Sequence, residues 1–354
     1  MKKQVPLLDC FTAPCKEGCP IHQDIPAYLQ LVKAGKYEEA LTVITEKNPL
    51  PFITGTICAH PCMGKCTRNF YEDSVHIREM KKIAAENGYD ALIGKIAAPA
   101  VTRPGKAAVV GGGPAGMAAA YFLRRAGMDV TLFEKSGALG GVVRHVIPGF
   151  RIPENAIDKD AALLEKLGVN IYLNSEITDI KMLKNAGYTA VILAVGASEP
   201  GRLKLEKGEP VNALEFLADF KEKDGNLDIG RNVGVIGGGN TAMDTARAAK
   251  RTKGVEHVYL VYRRTKRYMP ADEEELEMAV EDGVEFMELL APVKAENGRL
   301  LCKVMKLGGY DASGRRGVVE TEEEKEIPAD TVIAAVGEKV PTGFYEANGI
   351  HVND

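Results

Sequence analysis

The spacing of hydrophobic positions in this chain changes near residue 100. Before that point, apolar residues recur three and four positions apart, as they do along 27–44, and this spacing predicts amphipathic helices. Asp24 and Pro26 are suited to the start of the first helix, and Asn48-Pro49 to the end of this helical stretch. A second apolar repeat, from Val75 to Ala84, predicts a further helix. The first hundred residues are therefore expected to be all-helical.

Beyond a linker at 97–105, short apolar runs alternate with helical segments, which is typical of parallel α/β architecture. Runs at 107–110 and 233–236 each lead directly into a glycine-rich segment. Two further runs, 191–196 and 332–337, flank the second of these units and each end in glycine. This order predicts one nucleotide-binding domain inserted into another.

The first glycine-rich segment is Gly111-Gly112-Gly113-Pro114-Ala115-Gly116, between a strand and a helix. Glycines at these positions allow a tight turn and a close approach of the backbone to a pyrophosphate at the helix N-terminus. Glu134 ends the next strand, where a carboxylate can accept hydrogen bonds from ribose hydroxyls. Strand, helix and acid all stand where dinucleotide binding needs them.

The second segment, Gly237-Gly238-Gly239-Asn240-Thr241-Ala242, repeats the plan with one change. Its next strand ends in Arg263 and Arg264 instead of an acid. Guanidinium groups at this position favour a 2′-phosphate, and therefore NADPH over NADH. A solvated basic strand end is the alternative. FAD at the first segment and NADPH at the second is the economical assignment.

The predicted fold class is α/β, with an all-helical N-terminal domain followed by two nested Rossmann-like dinucleotide-binding domains of the adrenodoxin and glutathione reductase type. The predicted domains are a helical iron–sulfur domain at 1–100, the first part of the FAD-binding domain at 105–200, an inserted NADPH-binding domain at 201–335, and a truncated return to the FAD domain at 336–354.

Charge and composition exclude several classes of partner. The net charge of −4 gives no basic surface for nucleic acid. The most apolar window, 107–123, is interrupted by glycine and proline, so no membrane span is expected. Met1-Lys2-Lys3 is followed by Gln4-Val5-Pro6 and not by an apolar core, so we expect no signal peptide and a cytoplasmic location.

Six of the seven cysteines form two clusters with C-x4-C-x3-C and C-x3-C-x3-C spacing. In a reducing compartment, clustered thiols bind metal or perform redox chemistry more often than they form disulfides. These spacings are closer to iron–sulfur runs than to zinc knuckles, although zinc and unmetallated thiols remain alternatives. The seventh, Cys302, lies in an apolar run and is expected in the core. The candidate metal ligands are Cys10, Cys15, Cys19, Cys58, Cys62 and Cys66.

From Leu7 onward the chain resembles the flavin–iron–sulfur module of the glutamate synthase small subunit and of the N-terminal part of dihydropyrimidine dehydrogenase. It is most similar to the middle portion of the selenate reductase-like (YgfK-type) proteins. The runs that carry this resemblance include Leu8-Asp9-Cys10, Gln23-Asp24-Ile25-Pro26, Cys66-Thr67-Arg68, Gly140-Gly141-Val142-Val143, Ile147-Pro148-Gly149-Phe150-Arg151, Gly239-Asn240-Thr241-Ala242-Met243-Asp244 and Tyr262-Arg263-Arg264 with Met269-Pro270-Ala271.

The resemblance implies that electrons pass from NADPH through FAD to one or two [4Fe-4S] clusters, and then to an acceptor domain or subunit. It implies crosswise ligation, with Cys10, Cys15 and Cys66 on one cluster and Cys19, Cys58 and Cys62 on the other. The implied FAD positions are Gly111, Gly113, Pro114, Ala115, Gly116, Glu134, Gly141, Val142 and Arg151. The implied NADPH positions are Gly237, Gly238, Gly239, Asn240, Thr241, Arg263, Arg264, Arg267, Ala335, Val336 and Gly337.

The chain departs from the family pattern in three places. Leu7 and Lys81 occupy positions that usually supply the fourth ligand of each cluster, with Asp9 and Glu79 nearby in sequence. The chain also ends at Asn353-Asp354, where related proteins continue into a final FAD-contacting segment. The resemblance therefore leaves open the number of clusters, and it implies a fragment or a split protein.

No catalytic acid, base or nucleophile is predicted, because hydride transfer needs none. His60, His76 and His145 are expected to be loop or core residues. The competing functions are a degenerate nucleotide-binding or docking module without complete clusters, and a zinc-containing flavoprotein reductase. The final electron acceptor and any homo-oligomer are left open.

Overall fold

The computed structural model describes residues 12–310 and 314–352, which form two compact units. The first unit comprises residues up to 144, 150–195 and 347–350. The second comprises 145–149, 196–346 and the residues from 351 onward. Cys10, Leu7 and Asp9 lie outside the described residues.

The N-terminal part of the first unit is helical, as the apolar spacing predicts. The single stretch predicted to end near Asn48 is divided into two helices, because Gly35 adopts a positive φ of 70° and turns the chain. Asp24 does precede the first of them, but its side chain makes no capping hydrogen bond. The helices are α1 (Pro14–Glu17), α2 (Ile25–Lys33), α3 (Tyr37–Thr45), α4 (Pro51–Ile57), α5 (Pro61–Gly64) and α6 (Ile77–Lys95), with a 3-10 helix at Thr67–Phe70.

A four-stranded parallel sheet completes the first unit, with the order β3-β2-β1-β4. Its central strand is buried over all but its first residue, which explains why its sequence reads as a continuous apolar run. The strands are β1 (Lys106–Val110), β2 (Asp129–Phe133), β3 (Asn170–Tyr172) and β4 (Tyr188–Leu193), and the helices are α7 (Pro114–Arg125), α8 (Val142–His145), α9 (Glu154–Lys166) and α10 (Ile180–Asn185).

The second unit is built on a five-stranded parallel sheet, together with a three-stranded antiparallel sheet that the apolar pattern did not predict beyond the run around Cys302. That thiol is buried, as expected. The sheet orders are β6-β13-β7-β8-β9 and β10-β11-β12, and β5 pairs with β14. The strands are β5 (Glu199–Pro200), β6 (Val211–Asn212), β7 (Asn232–Ile236), β8 (His257–Tyr262), β9 (Glu285–Glu288), β10 (Leu290–Glu296), β11 (Arg299–Tyr310), β12 (Arg316–Pro328), β13 (Thr331–Ala334) and β14 (Glu338–Lys339). The helices are α11 (Ala213–Glu222), α12 (Asn240–Arg251), α13 (Glu273–Glu281) and α14 (Thr342–Ala347), with a 3-10 helix at Lys266–Tyr268.

No helix in the described ranges is long and apolar enough to cross a membrane.

Asp160 on α9 supplies the N-terminal cap that helix α4 lacks in its own sequence. Its buried carboxyl group accepts hydrogen bonds from the backbone N–H groups of Phe52, at 3.1 Å, and Ile53, at 2.8 Å. The residue before α4, Leu50, offers no side-chain acceptor. Unpaired N–H groups at a buried helix start are costly, so this bond fixes α4 against α9.

We expect Asp160→Asn to destabilise the protein by about 1–3 kcal/mol, because the side-chain amide nitrogen cannot accept a hydrogen bond from the second backbone N–H group, whereas both oxygens of a carboxyl group can, protonated or not. Burial raises the pKa of Asp160 to about 8. An unfolded aspartate has a pKa of about 3.9, so between these values the folded state holds a proton that the unfolded state has lost, and the stability from this group falls as the pH rises. Denaturant unfolding should therefore show that the free energy of unfolding of the variant is lower than that of the unchanged protein, and that this difference becomes smaller from pH 5 to pH 8. Asp73→Asn, at an exposed position, serves as the control. A deficit of the same size at both pH values would contradict the shifted pKa.

Candidate nucleotide sites and thiol cluster

The first glycine-rich segment connects β1 to α7, as predicted. A Cβ added at Gly116 would lie 1.8 Å from the carbonyl oxygen of Gly111, so glycine is required for the helix to pack this closely on the turn. Gly111 itself has a positive φ of 103°, and a Cβ there would lie 2.3 Å from the Ala194 oxygen. Steric contacts within the first unit therefore require glycine at both positions of this turn.

Gly113 differs from its neighbours because it faces open space. Its backbone is extended, it precedes the first turn of α7, and the nearest atom to an added Cβ would be the Cα of Gly141, at 3.9 Å. The predicted site residue Gly141 thus lies directly against the loop, and Gly140 N–H donates to the Gly112 oxygen at 2.8 Å. A helix N-terminus with an uncovered glycine in front of it fits a bound pyrophosphate.

Glu134 follows β2 as predicted, and it already has partners within the protein. Its buried carboxylate accepts from the N–H groups of Gly112, at 2.6 Å, and Ser136, at 2.7 Å. These bonds hold the glycine loop in place, a role that the sequence did not indicate. Of the other predicted residues, Val142 begins α8 with 45% of its surface exposed, and Arg151 lies half-buried in the turn before α9.

The second glycine-rich segment connects β7 to α12 with the same geometry. A Cβ at Gly237 would lie 2.4 Å from the Ala335 oxygen, and one at Gly238 would lie 2.4 Å from the ring of Tyr262. Gly239, by contrast, has no heavy atom within 4 Å of the position of an added Cβ. The two loops therefore present the same uncovered glycine, at Gly113 and Gly239, before a helix of twelve residues.

An open cleft of about 660 Å³ lies in front of this second loop, within the second unit. The predicted residues Arg263 and Arg264 both line it, as do Ala335, Val336 and Gly337. Arg267 does not: it lies in the neighbouring 3-10 helix beside Tyr268 and lines a smaller cleft. Asn240 is also turned to a protein partner, since its side-chain oxygen accepts from Asp272 N–H at 3.0 Å. Two further arginines that sequence reasoning missed, Arg202 and Arg315, line the larger cleft.

The two described cysteine segments meet through the packing of α1 on α5. A Cβ at Gly18 would lie 3.2 Å from the Cα of Cys62, so the two cysteine segments are in contact at this point. Cys19 and Cys62 are both buried, and Gln23 Nε2 lies 3.6 Å from the Cys19 sulfur. No group of three or more His, Cys, Asp or Glu side chains within residues 12–310 and 314–352 is close enough to hold a metal ion.

Burial and neighbouring thiols both raise the pKa of two of the described cysteines. Burial raises the pKa of the Cys62 thiol to about 11, and Cys58 and Cys19 add to the rise. Burial also raises the pKa of Cys15, with smaller contributions in the same direction from Cys66 and Cys19. Thiolate sulfur is the ligand that iron–sulfur clusters take, so the donor set fits such a group, although the described thiols do not form a closed cage.

Lys81, at the position where the family pattern has a ligand, is a buried residue of α6 with 4% of its surface exposed. Burial lowers the pKa of its ammonium group, while Cys58, Cys62 and Cys19 oppose that shift. A lysine therefore lies near these thiols in place of the usual ligand.

Comparison with known proteins places the chain. Residues 105–354 match the pyridine nucleotide-disulphide oxidoreductase family, and residues 6–91 match dihydropyrimidine dehydrogenase domain II, 4Fe-4S cluster. The chain is 44% identical to YgfK of Escherichia coli (strain K12), described as an oxidoreductase, over 98% of this chain and 34% of that relative. It is 32% identical to the glutamate synthase [NADPH] small chain of the same organism, over 93% of this chain and 75% of that relative.

Among solved structures, thioredoxin reductase of T. acidophilum matches with a TM-score of 0.51 at 21% identity, covering 71% of this chain and 82% of that one. That likeness shows the fold alone. The chain spans about a third of the length of YgfK. The predicted fold class and the predicted resemblance are both confirmed. The chain belongs to the pyridine nucleotide-disulphide oxidoreductases, a family of NAD(P)H-dependent enzymes, and carries the dihydropyrimidine dehydrogenase type of 4Fe-4S domain ahead of that fold.

Proposed function

We propose that this chain is an electron-input module that oxidises NADPH and passes the electrons through FAD and [4Fe-4S] clusters to an acceptor domain or subunit. The observation that carries the proposal is the pair of glycine loops, which share one geometry but differ in the residues that end the next strand. Glu134 follows the first loop, whereas Arg263 and Arg264 follow the second. Two sites of one shape and opposite charge suit two different dinucleotides.

FAD is assigned to the loop between β1 and α7. Gly113 and Gly141 leave the space in which the pyrophosphate would lie, at the N-terminus of a twelve-residue helix. Glu134 retains acceptor capacity for a ribose hydroxyl, because each carboxylate oxygen has two lone pairs and uses one for the bonds described. When bound, FAD supplies acceptance of electron pairs and their release one at a time.

NADPH is the substrate assigned to the arginine-lined cleft. The N-terminus of α12 offers backbone N–H groups to its pyrophosphate, and Arg263 and Arg264 stand where the adenosine ribose of a dinucleotide lies in this fold. NADPH is also the coenzyme given in the name of one relative, the glutamate synthase [NADPH] small chain.

The iron–sulfur ligands are assigned to the two cysteine segments. Crosswise ligation, which the family resemblance implies, would place Cys10, Cys15 and Cys66 in one group and Cys19, Cys58 and Cys62 in the other. Cys66 acts on Cys15, and Cys58 acts on Cys62, as this division requires, but Cys19 acts on both. The name of the small chain, which implies a larger partner, supports an acceptor outside this chain.

A degenerate module that binds nucleotides without complete clusters is the second candidate. It is favoured by Lys81 at a usual ligand position and by the lack of a closed cage among the described thiols. Iron, sulfide and zinc analysis of anaerobically purified protein separates the candidates: iron with sulfide supports the electron-input module, zinc supports a zinc-containing reductase, and neither metal supports the degenerate module.

We expect Cys15→Ala and Cys58→Ala each to lower the bound iron while flavin content is retained. The double variant should lower iron further, because the two thiols belong to different groups. Cys302→Ala, in the other unit, is the matched control and should keep its iron. Iron content unchanged in both single variants would remove the cluster assignment.

Exchanging the uncovered glycines should separate the two nucleotide sites. Gly113→Val should lose FAD and keep NADPH binding, and Gly239→Val should do the reverse. Both positions have extended backbone that valine adopts, and an added Cβ at either would meet no protein atom closer than 3.9 Å, so folding should survive. Flavin absorbance and NADPH titration measure the two outcomes. Full flavin occupancy in the Gly113 variant would show that FAD binds elsewhere.

The coenzyme choice should depend on the two strand-end arginines. Arg263→Ala combined with Arg264→Ala should raise the Kd for NADPH by about two orders of magnitude and that for NADH far less, since a charge-assisted hydrogen bond contributes about 1.5–3 kcal/mol. The difference should shrink as salt is added. Arg299→Ala, an exposed residue paired with Glu326, is the control. An equal loss for both coenzymes would withdraw the NADPH assignment.

A further inference from the structure

The antiparallel sheet β10-β11-β12 is inserted between strands β9 and β13 of the parallel sheet. Its base is fixed, because Leu300, Cys302 and Ile327 pack into one buried cluster with Ile236 and Val261 of the parallel strands. Strands β9 and β13 are not neighbours in that sheet, so the insertion lies in the crossover connection between them. Its position relative to the cleft indicates what it contributes.

The hairpin β11–β12 reaches the cleft at the end opposite its base. Arg315, immediately before β12, lines the cleft together with Arg263 and Arg264, and Leu290, Ala291 and Pro292 of β10 form another part of the same wall. The hairpin therefore adds a charged residue to a cleft that the parallel sheet alone would leave with fewer.

Arg316 holds this end of the hairpin in place. Its Nε donates to the Gly308 oxygen, its Nη2 donates to the Leu307 oxygen at 3.3 Å, and its guanidinium lies 5.4 Å from the ring centre of Tyr310. Its own carbonyl accepts a hydrogen bond from Arg264 Nε at 3.2 Å. The hairpin backbone is thus bonded directly to one of the two strand-end arginines.

The charge in the cleft exceeds what a plain dinucleotide needs. A pyrophosphate is received by backbone N–H groups at the start of α12 and does not require several arginines. The cleft nevertheless has four guanidinium groups, from Arg202, Arg263, Arg264 and Arg315, against one carboxylate, from Glu338. Arginine's planar donors match phosphate oxygens bidentately. A second phosphate group is the ligand that accounts for this excess.

We propose that the β11–β12 hairpin is a specificity element for the 2′-phosphate of the coenzyme, in which Arg315 binds the phosphate and Arg316 is a positioning residue that orients Arg264. The inference rests on the proposed NADPH site and extends it to residues outside the glycine loop and its following strand. It also gives the inserted sheet a functional role.

The test uses the whole chain and two small probes that carry only the adenosine half of the coenzyme, 2′,5′-ADP and 5′-AMP. Calorimetric titration should show that Arg315→Ala weakens 2′,5′-ADP about tenfold and 5′-AMP less than twofold, and that Arg315→Lys recovers part of the loss. Arg299→Ala, on the same hairpin, should bind both probes as the unchanged protein does.

The positioning role of Arg316 is tested by a mutant cycle with Arg264 and Arg315. The Arg316 side chain holds the hairpin end that carries both its own carbonyl, to which Arg264 is bonded, and the neighbouring Arg315. Arg316→Ala should therefore weaken 2′,5′-ADP in the unchanged protein but have little further effect when Arg264 and Arg315 are both replaced by alanine. An undiminished loss in that background would overturn the positioning role, because Arg316 would then act independently of both residues.

Failure of this inference can be told apart from failure of the proposed function. If Arg263→Ala with Arg264→Ala weakens 2′,5′-ADP while Arg315→Ala does not, the hairpin is not a specificity element and the NADPH assignment stands. If neither variant discriminates between the two probes, the cleft is not an NADPH site, and both proposals fall.

Discussion

The architecture of both units depends on one steric constraint, which is the close passage of a helix start over the strand that precedes it. At the first loop the constraint is severe, since a side chain at Gly116 would overlap the carbonyl oxygen of Gly111. Glycine removes the overlap and lets α7 begin directly above the end of β1. The helix dipole and its unpaired N–H groups then point into the space in front of Gly113. The nucleotide position follows from backbone packing before any side chain contributes.

At the second loop Ala242 stands where the first loop has Gly116, and the close approach falls on Gly237, whose added Cβ would lie 2.9 Å from the Cβ of Ala242. The surroundings of this loop also give it a different chemistry. At the first loop the buried carboxylate of Glu134 accepts a hydrogen bond from the loop's own backbone, and it places a negative charge at the strand end. Around the second loop the strand ends in arginines that face an open cleft, and the segment 268–272 bonds back to the loop through the Gly238 oxygen. Shape is therefore common to the two sites, whereas charge distinguishes them.

Much of this arrangement could be predicted from the sequence because it is local. Short apolar runs predict the strands β1, β2, β7 and β8. The glycines that follow β1 and β7 predict the two turns, because only glycine fits the close approach there. The antiparallel sheet could not be predicted in the same way, because β12 is half-exposed and rich in glutamate, so no apolar alternation marks it. Arg315 was missed because only the packing of the hairpin in the folded unit places it in the same cleft as Arg264. Arg267, three residues further along from Arg264, was assigned from the family resemblance, yet the 3-10 helix turns it toward a neighbouring cleft.

The helical layer of the first unit has an apolar core, in which Ile25, Leu41 and Ile44 are fully buried, and it also contains buried polar groups. Asp160 caps α4 from α9, and Lys81 on α6 lies near Cys62, a thiol whose pKa burial raises to about 11. Burial favours the neutral forms of Asp160, Cys62 and Lys81, whereas Lys81 favours the charged forms of the two acids and the thiols favour the charged form of Lys81. A metal bound to the thiols would bring positive charge close to Lys81, and would therefore change the pKa of Lys81 as well. The thiol cluster and α6 therefore form a single electrostatic system, and substitutions in one act on the charge state of the other.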